Sequence, residues 1–435
     1  MALTRVSPAL FQVSNNITSV TVGGSANTIS LTFDSNGVIT GASNNALLIS
    51  NTAITGNIIS SQITSVANTQ LTGTITGSQI SSNTLSNTVF QTGSVEAYMR
   101  AVNLDFGLRN RIINGQMTID QRNAGASYSA VDSTYGLDRW KLASWDGSSQ
   151  VTGKYTVIQS STAPAGFPTS MLITSSAATT IAAGAIYWVG QMIEGFNTAD
   201  LDFGKATAKS VTVSFWVRSS LTGDFSGAIA NSAHDRSYPF SYTINSANTF
   251  EFKTVTIPGD TSGTWLTTNG IGIRIFFNLG SGTTYRGTAG AWSGSQLTSV
   301  TGTTSLLATN AATLYIAGVQ LEEGSQATPF EYRHHSKELS LCQRYYEVFL
   351  LGATGAPQNL FLSGVLTGGN CTHTCYFKTT KRTDPSWAAV GGATWQNTPN
   401  NSTTSKDCAI FQNTSSGYFY LGNGVNHGAG FSAEL

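Results

Sequence analysis

LYIAGVQLEEGSQATPFEYR, residues 314–333, decides how the chain folds. Leu314 and Ile316 alternate as one face of a strand, and Val319 and Leu321 do so again, one step out of phase. Ala317-Gly318 lies between the two pairs, and one extra residue at a glycine predicts a β-bulge. The apolar pattern stops at Glu322-Glu323-Gly324, and Ala327-Thr328-Pro329-Phe330 leads out as an extended exit. The stretch predicts a closing strand with a bend, followed by a tail laid over its own domain.

Upstream, SVTVSFWVR (210–218) places Val211, Val213, Phe215 and Val217 on one face, the period of a half-buried strand. Further strands are predicted over 185–193, 249–257 and 270–279. Gly- and Ser-rich turns separate them, as in an all-β sandwich. Nearer the start, RNRIINGQMTIDQRNAG (109–125) predicts a strand pair around Asn114-Gly115. In GLDRWKL (136–142), Leu137, Arg139 and Lys141 alternate against Asp138, Trp140 and Leu142. Downstream, 358–366, 371–380 and 416–423 read as strands of a second β unit.

Composition narrows the classes of function. Only 10% of the 435 residues are charged, against about a quarter in ordinary globular chains. A hydrophobic share of 40% excludes wholesale disorder. The 22 basic and 22 acidic residues balance, so no nucleic-acid or anionic-membrane partner is expected. No apolar run reaches the length of a membrane span, and the first residues lack a signal-peptide core, so no membrane insertion and synthesis in the cytoplasm are expected. Four cysteines, at 342, 371, 375 and 408, make no disulfide framework.

Residues 1–94 differ from the rest. Between Asp34 and Glu96 there is no charged residue, and single Ile, Leu or Val residues punctuate Ser, Thr, Asn and Gly. ITGNIISSQI at 54–63 recurs as LTGTITGSQI at 71–80. One chain cannot bury such isolated aliphatics, so three copies wrapped on one axis are expected, lined by Ile58, Ile63, Leu71, Ile75 and Ile80. A Ser/Thr linker is the alternative. Asn36-Gly37 between 29–33 and 38–42 predicts a hairpin. The spacing of Tyr98, Ala101, Val102 and Asp105 predicts a short helical neck over 95–108.

RNRIINGQMTIDQRNAG, YGLDRWKL, GQMIEGFNTADLDFGKATAKSVTVSFWVRSS, TVTIPGDTSGTW and VQLEEGSQATPFEYR follow one another in an order that resembles the carbohydrate-binding-like jelly-roll domain of phage tail-fibre and tail-spike proteins. HSKELSLCQRYYEVF resembles that family's link to a C-terminal domain, and FSAEL (431–435) a usual chain end. The resemblance covers about residues 107–350. It implies a virion protein made in the host cytoplasm and a jelly roll of a kind that often holds a structural calcium.

Candidate site residues are few. Sugars stack their C–H faces on aromatic rings while amides and hydroxyls read their edges, so Trp387, Trp395, Asn397, Tyr418 and Tyr420 are the candidate glycan-binding residues. Trp140, Trp188 and Trp216 lie in strand patterns and are assigned to the core. Trp265 and Trp292 recur at similar places in the family, which favours a structural role. Cys371, His373 and Cys375 share one face of a strand and could hold a soft metal, although burial in a core accounts for them as well. The acidic pairs Asp200/Asp202 and Glu322/Glu323 read as turn-forming or solvated rather than catalytic, and His234-Asp235 as loop neighbours rather than a dyad.

The expected fold class is all-β: an elongated trimeric fibre with an intertwined β shaft, a jelly-roll β-sandwich head and a C-terminal β knob. Its parts are a virion-docking segment (1–28), the shaft (29–94), the neck (95–108), the jelly roll (109–335) and a receptor-binding tip (336–435). The expected function is a homotrimeric tail fibre in the virion. It is joined to other phage tail proteins through its N-terminus and adheres to host surface polysaccharide or lipopolysaccharide, with no catalysis and no cofactor. A depolymerising tail spike and a purely structural connector are the rival readings.

Overall fold

The structure is a computed structural model that describes residues 19–22, 29–33, 39–44, 109–350, 371–390, 394–396, 401–413, 420–422 and 428–435. Its contacts divide the chain into two compact units, Met1–Val89 and Phe90–Leu435. The first contains an antiparallel sheet of β1 (Ser19–Val22), β2 (Ile29–Phe33) and β3 (Ile39–Asn44). β2 pairs with β3, as the Asn36-Gly37 signal predicts. The repeats with Ile58, Ile63, Leu71, Ile75 and Ile80, and the neck, lie outside the described residues.

The second unit is built on two antiparallel sheets. In chain order its strands are β4 (Tyr128–Ser129), β5 (Lys141–Trp145), β6 (Tyr155–Ser160), β7 (Ser170–Ser175), β8 (Ile186–Glu194), β9 (Val211–Ser219), β10 (Gly223–Ala230), β11 (Ser237–Ile244), β12 (Glu251–Ile257), β13 (Ile271–Ser281), β14 (Arg286–Gly287), β15 (Ser299–Val300) and β16 (Thr313–Glu323). One sheet runs β11-β10-β13-β8-β5 and the other β12-β9-β16-β7-β6-β4. Their inner faces interdigitate. Val211, Val213, Phe215 and Val217 of β9 and Leu314, Ile316, Val319 and Leu321 of β16 meet Ile273, Ile275, Phe277 and Leu279 of β13 in one fully buried core. Phe215 packs edge-on against Phe277 and Tyr242 at 4.9 and 5.0 Å. Each such side chain contributes about 1.5–3 kcal/mol of burial.

The closing stretch folds as its pattern predicts. Across β9 the register steps from Ala317 opposite Trp216 to Gln320 opposite Ser214, so Gly318 and Val319 together face Phe215. Gly318 has φ +59°, which returns the apolar side to the core for Val319 and Leu321.

The opener does not form the expected strand pair, since residues 109–127 contain no strand. Side chains take over the role of a ladder. Gln191 accepts from Ile113 N–H and donates to Ile113 C=O, both at 2.8 Å, and Asn110 donates to Val319 C=O while accepting from Leu321 N–H. Asn114, at φ 58°, bonds both backbone groups of Ile119. YGLDRW is likewise a turn, with Arg139 at φ 71°, and β5 starts only at Lys141.

Residues 336–435, set apart in the sequence as a separate tip, fall in the same compact unit as the sandwich. Helix α1 (His335–Gln343) leads to β17 (Tyr346–Leu350), β18 (Cys371–Tyr376), β19 (Ser386–Val390), β20 (Thr394–Gln396), β21 (Asn401–Thr404), β22 (Cys408–Asn413), β23 (Tyr420–Gly422) and β24 (Gly428–Ser432). β24 lies between β17 and β19, and Phe431, Phe411, Ala409 and Cys375 form a small core. The motifs that carry the family resemblance then join this part to the sandwich. Glu194 accepts from Arg344 at 2.6 and 2.9 Å and from the Tyr345 hydroxyl at 2.7 Å, while Glu434 pairs with Arg122 and with the buried Arg139. Burial alone would raise the Glu194 carboxyl, but the bonds from Arg344 and Tyr345 hold it below its ordinary value.

Candidate functional site: an aromatic platform on the six-stranded sheet

Strand period two fixes what the outer face of the six-stranded sheet carries. With Val211, Val213, Phe215 and Val217 turned inward on β9, Thr212, Ser214, Trp216 and Arg218 must turn outward. Trp216 is therefore half-buried on the sheet surface, outside the core to which its strand pattern had assigned it. Its cross-strand partner on β12 is Phe252, 46% exposed, and the two rings lie 5.4 Å apart. On the other side Tyr315 of β16 faces Leu172 of β7.

The tail divides this face in two. Over one half, Glu322 accepts from Thr328 N–H at 2.8 Å and Thr328 Oγ1 at 2.6 Å, with Arg109 Nε at 3.5 Å, and Gln320 accepts from Glu331 N–H. Glu322 is thus buried and holds the tail down, contrary to the expectation of a solvated strand cap, while Glu323 pairs with Lys209. The other half stays open. At the boundary Phe167, Phe330 and Tyr332 cluster with ring centres 5.1–5.6 Å apart, and Tyr332 is 58% exposed. A Cβ at Gly318 would lie 2.6 Å from Phe167 Cζ and 3.2 Å from Trp216 Cδ1. The glycine is what lets the two rings close into one row.

The row thus runs from Tyr332, Phe330 and Phe167 to Trp216 and Phe252, with Tyr315 and Phe250 beside it at a ring separation of 6.0 Å. Thr254 and Thr256 of β12 are exposed on the same face, whereas Thr212 and Ser214 of β9 are buried and Thr212 donates to Gly324 C=O. Exposed rings on a rigid sheet, flanked by hydroxyls, form a surface that can stack flat amphipathic rings and bond their edges.

The sequence-predicted residues fall elsewhere. Trp387 lies opposite Phe431, packs edge-on against Phe411 at 5.2 Å and donates Nε1–H to Ser402 Oγ at 3.2 Å, so its ring leans on the small core. Trp395 pairs with Leu421 and Tyr420 with Gln396, while Asn397 and Tyr418 lie outside the described residues. Cys371, His373 and Cys375 stand opposite Asn413, Phe411 and Ala409. Burial pushes the Cys375 thiol up to about 12, and it stays protonated among apolar neighbours, the opposite of what a metal ligand needs.

The acidic pairs are spent on separate partners, Asp200 on Arg111 and Asp202 on Lys205 and Thr207. His234 stacks on Phe276, and burial lowers it to about 4, while Asp235 accepts from Asn231. Trp265 and Trp292 pack edge-on around Phe203 and donate to Ser262 and Pro258 carbonyls. A cavity of about 180 Å³ beside Phe196 is lined by Arg111, Glu194, Arg333 and Arg344. Its charges already pair with one another or with Asp200, Glu331 and Glu338, which makes it a joint.

No family model and no curated protein matches the chain. Among solved structures it is similar to the enzymatically active domain of tailspike protein 4 of bacteriophage CBA120, at 15% identity over 50% of this chain and a TM-score of 0.28. The match spans 22% of that structure's length. It is also similar to a CBM4 structure (16% identity, 48% of this chain, 98% of that one, TM-score 0.23). A third likeness is to TmCBM61 in complex with β-1,4-galactotriose (10% identity, 50% of this chain, 100% of that one, TM-score 0.25). Likeness at this level carries no functional argument, and the surface geometry has to carry it.

Proposed function

We propose that the chain is a phage tail fibre that adheres to host surface polysaccharide or lipopolysaccharide through its β-sandwich. The observation that carries this reading is the pair Trp216 and Phe252, side by side on an open sheet face and continued by Phe167, Phe330 and Tyr332. Aromatic surface of this kind on a chain with only 10% charged residues suits a hydroxyl-rich partner surface better than another protein's densely charged exterior. The charge-free repeats of residues 35–95 support a threefold shaft, and three linked platforms would turn weak sites into avid ones. Residues 1–28 are then the segment that joins the virion.

Hydrolysis is not part of the proposal, because each close carboxylate pair is engaged in holding the fold. Adsorption of the purified chain to host cells tests the reading, with Trp216→Ala/Phe252→Ala as the variant. Adhesion should fall at least tenfold while light scattering still reports a trimer. Unchanged adhesion, or reducing ends released from the polysaccharide, would replace it with another binding surface or with the tail-spike reading.

A further inference from the structure

We infer that the glycan laid on this platform is acidic, with a sugar carboxylate bound by Arg218. The inference rests on the glycan-binding reading above and adds the chemical class of the ligand. Arg218 follows Trp216 by two residues on β9, so both project from the same face about 7 Å apart along the strand. Its guanidinium stands 4.9 Å from the centre of the Tyr315 ring and 5.8 Å from that of Phe250.

What marks it out is the lack of any partner among the described residues. Arg109, Arg111, Arg122, Arg139, Arg236, Arg333 and Arg344 all pair with carboxylates. Arg274, Arg286 and Arg382 donate to backbone carbonyls. Among the described residues Arg218 alone does neither, while a shielded Nε without an acceptor is something it shares with Arg111, Arg122 and Arg139. A half-buried guanidinium with donors unspent is costly unless something supplies an acceptor. Two aromatic rings hold the planar fork in place, which keeps it ready for a planar, bidentate anion. A carboxylate offers its two oxygens in one plane, whereas the oxygens of a phosphate are tetrahedral.

The test uses the full chain and polysaccharide pairs that differ only in the acid. Polygalacturonate, alginate, hyaluronate and xanthan are each compared with the carboxyl-reduced form by calorimetry, with poly(glycerol phosphate) and neutral dextran, xylan and galactan as further arms. At least one acidic polymer should bind about tenfold more tightly than its reduced form, the difference that one charge-assisted contact provides. Arg218→Gln should abolish that difference between the acidic and the reduced polymer. Trp216→Ala should weaken both forms.

If acidic and reduced forms bind alike, or neutral glycans bind with the same dependence on Trp216, the carboxylate assignment is wrong while the platform stands. Preference for poly(glycerol phosphate) would move the anion to phosphate and overturn it as well. If nothing binds, or Trp216→Ala changes nothing, the platform itself has failed. Equal thermal midpoints for wild type and R218Q exclude misfolding as the cause.

Discussion

The two outer faces of the sandwich use the same device and end differently. On the five-stranded sheet Trp188 of β8 turns outward beside Phe276 of β13, with ring centres 4.6 Å apart. On the six-stranded sheet Trp216 turns outward beside Phe252. Trp188 is only 9% exposed, because Ile186, Ile271 and Leu435 pack against its cluster and His234 stacks on Phe276. Phe252 keeps 46% of its surface. A strand pattern decides which way a ring points, and the rest of the chain decides whether anything is laid over it.

That contrast can be broken by substitution. The largest effect is expected for Trp188→Ala, which empties a packed cluster and should cost about 4 kcal/mol in urea unfolding. Glu434→Gln should follow at about 3 kcal/mol, because Arg139, with 1% of its side chain exposed, would lose its carboxylate. It should also raise the exposure of Trp188, read by fluorescence quenching, if the last residues are what cover that face. A pH-dependent effect is expected at Asp138, where burial pushes the carboxyl up to about 7 against Arg122 and the bonds from Gln121. The folded state binds this proton more tightly than the unfolded chain, so the contribution is full below pH about 4 and lost by about 7. Urea midpoints should fall over that window, and Asp138→Asn should flatten the slope. The smallest effect on stability is expected for Trp216→Ala, about 1 kcal/mol, because its ring is already half in water. A loss as large as that of Trp188→Ala would show that the two faces are equally buried and would remove the platform.

The sequence was legible where apolar period and burial agree. Val211, Val213, Phe215 and Val217 announced β9, and the phase change at Ala317-Gly318 announced the bulge and the tail beyond it. The same alternation already implied that Trp216 points away from the core, against the general tendency of tryptophan to be buried. The strand pair expected at 109–125 failed for another reason. Asn-Gly there serves a turn whose hydrogen bonds come from Gln191 and Asn110, residues remote in sequence or acting through side chains.

By itself the sequence determined the all-β class, the inward faces of β9 and β16 and the closing bend, because these follow from local alternation and from the conformational freedom of a glycine. The joining of residues 336–435 to the sandwich was decided only in three dimensions, since Glu194 meets Arg344 across 150 residues, and Glu434 meets Arg122 and Arg139 across 312 and 295. So was the candidate site. Phe167, Trp216, Phe252, Phe330 and Tyr332 carry no shared spacing that a linear reading could detect. They become one surface because the bulge at Gly318 leaves room for two rings, and because the tail that covers half of the sheet stops short of the other half.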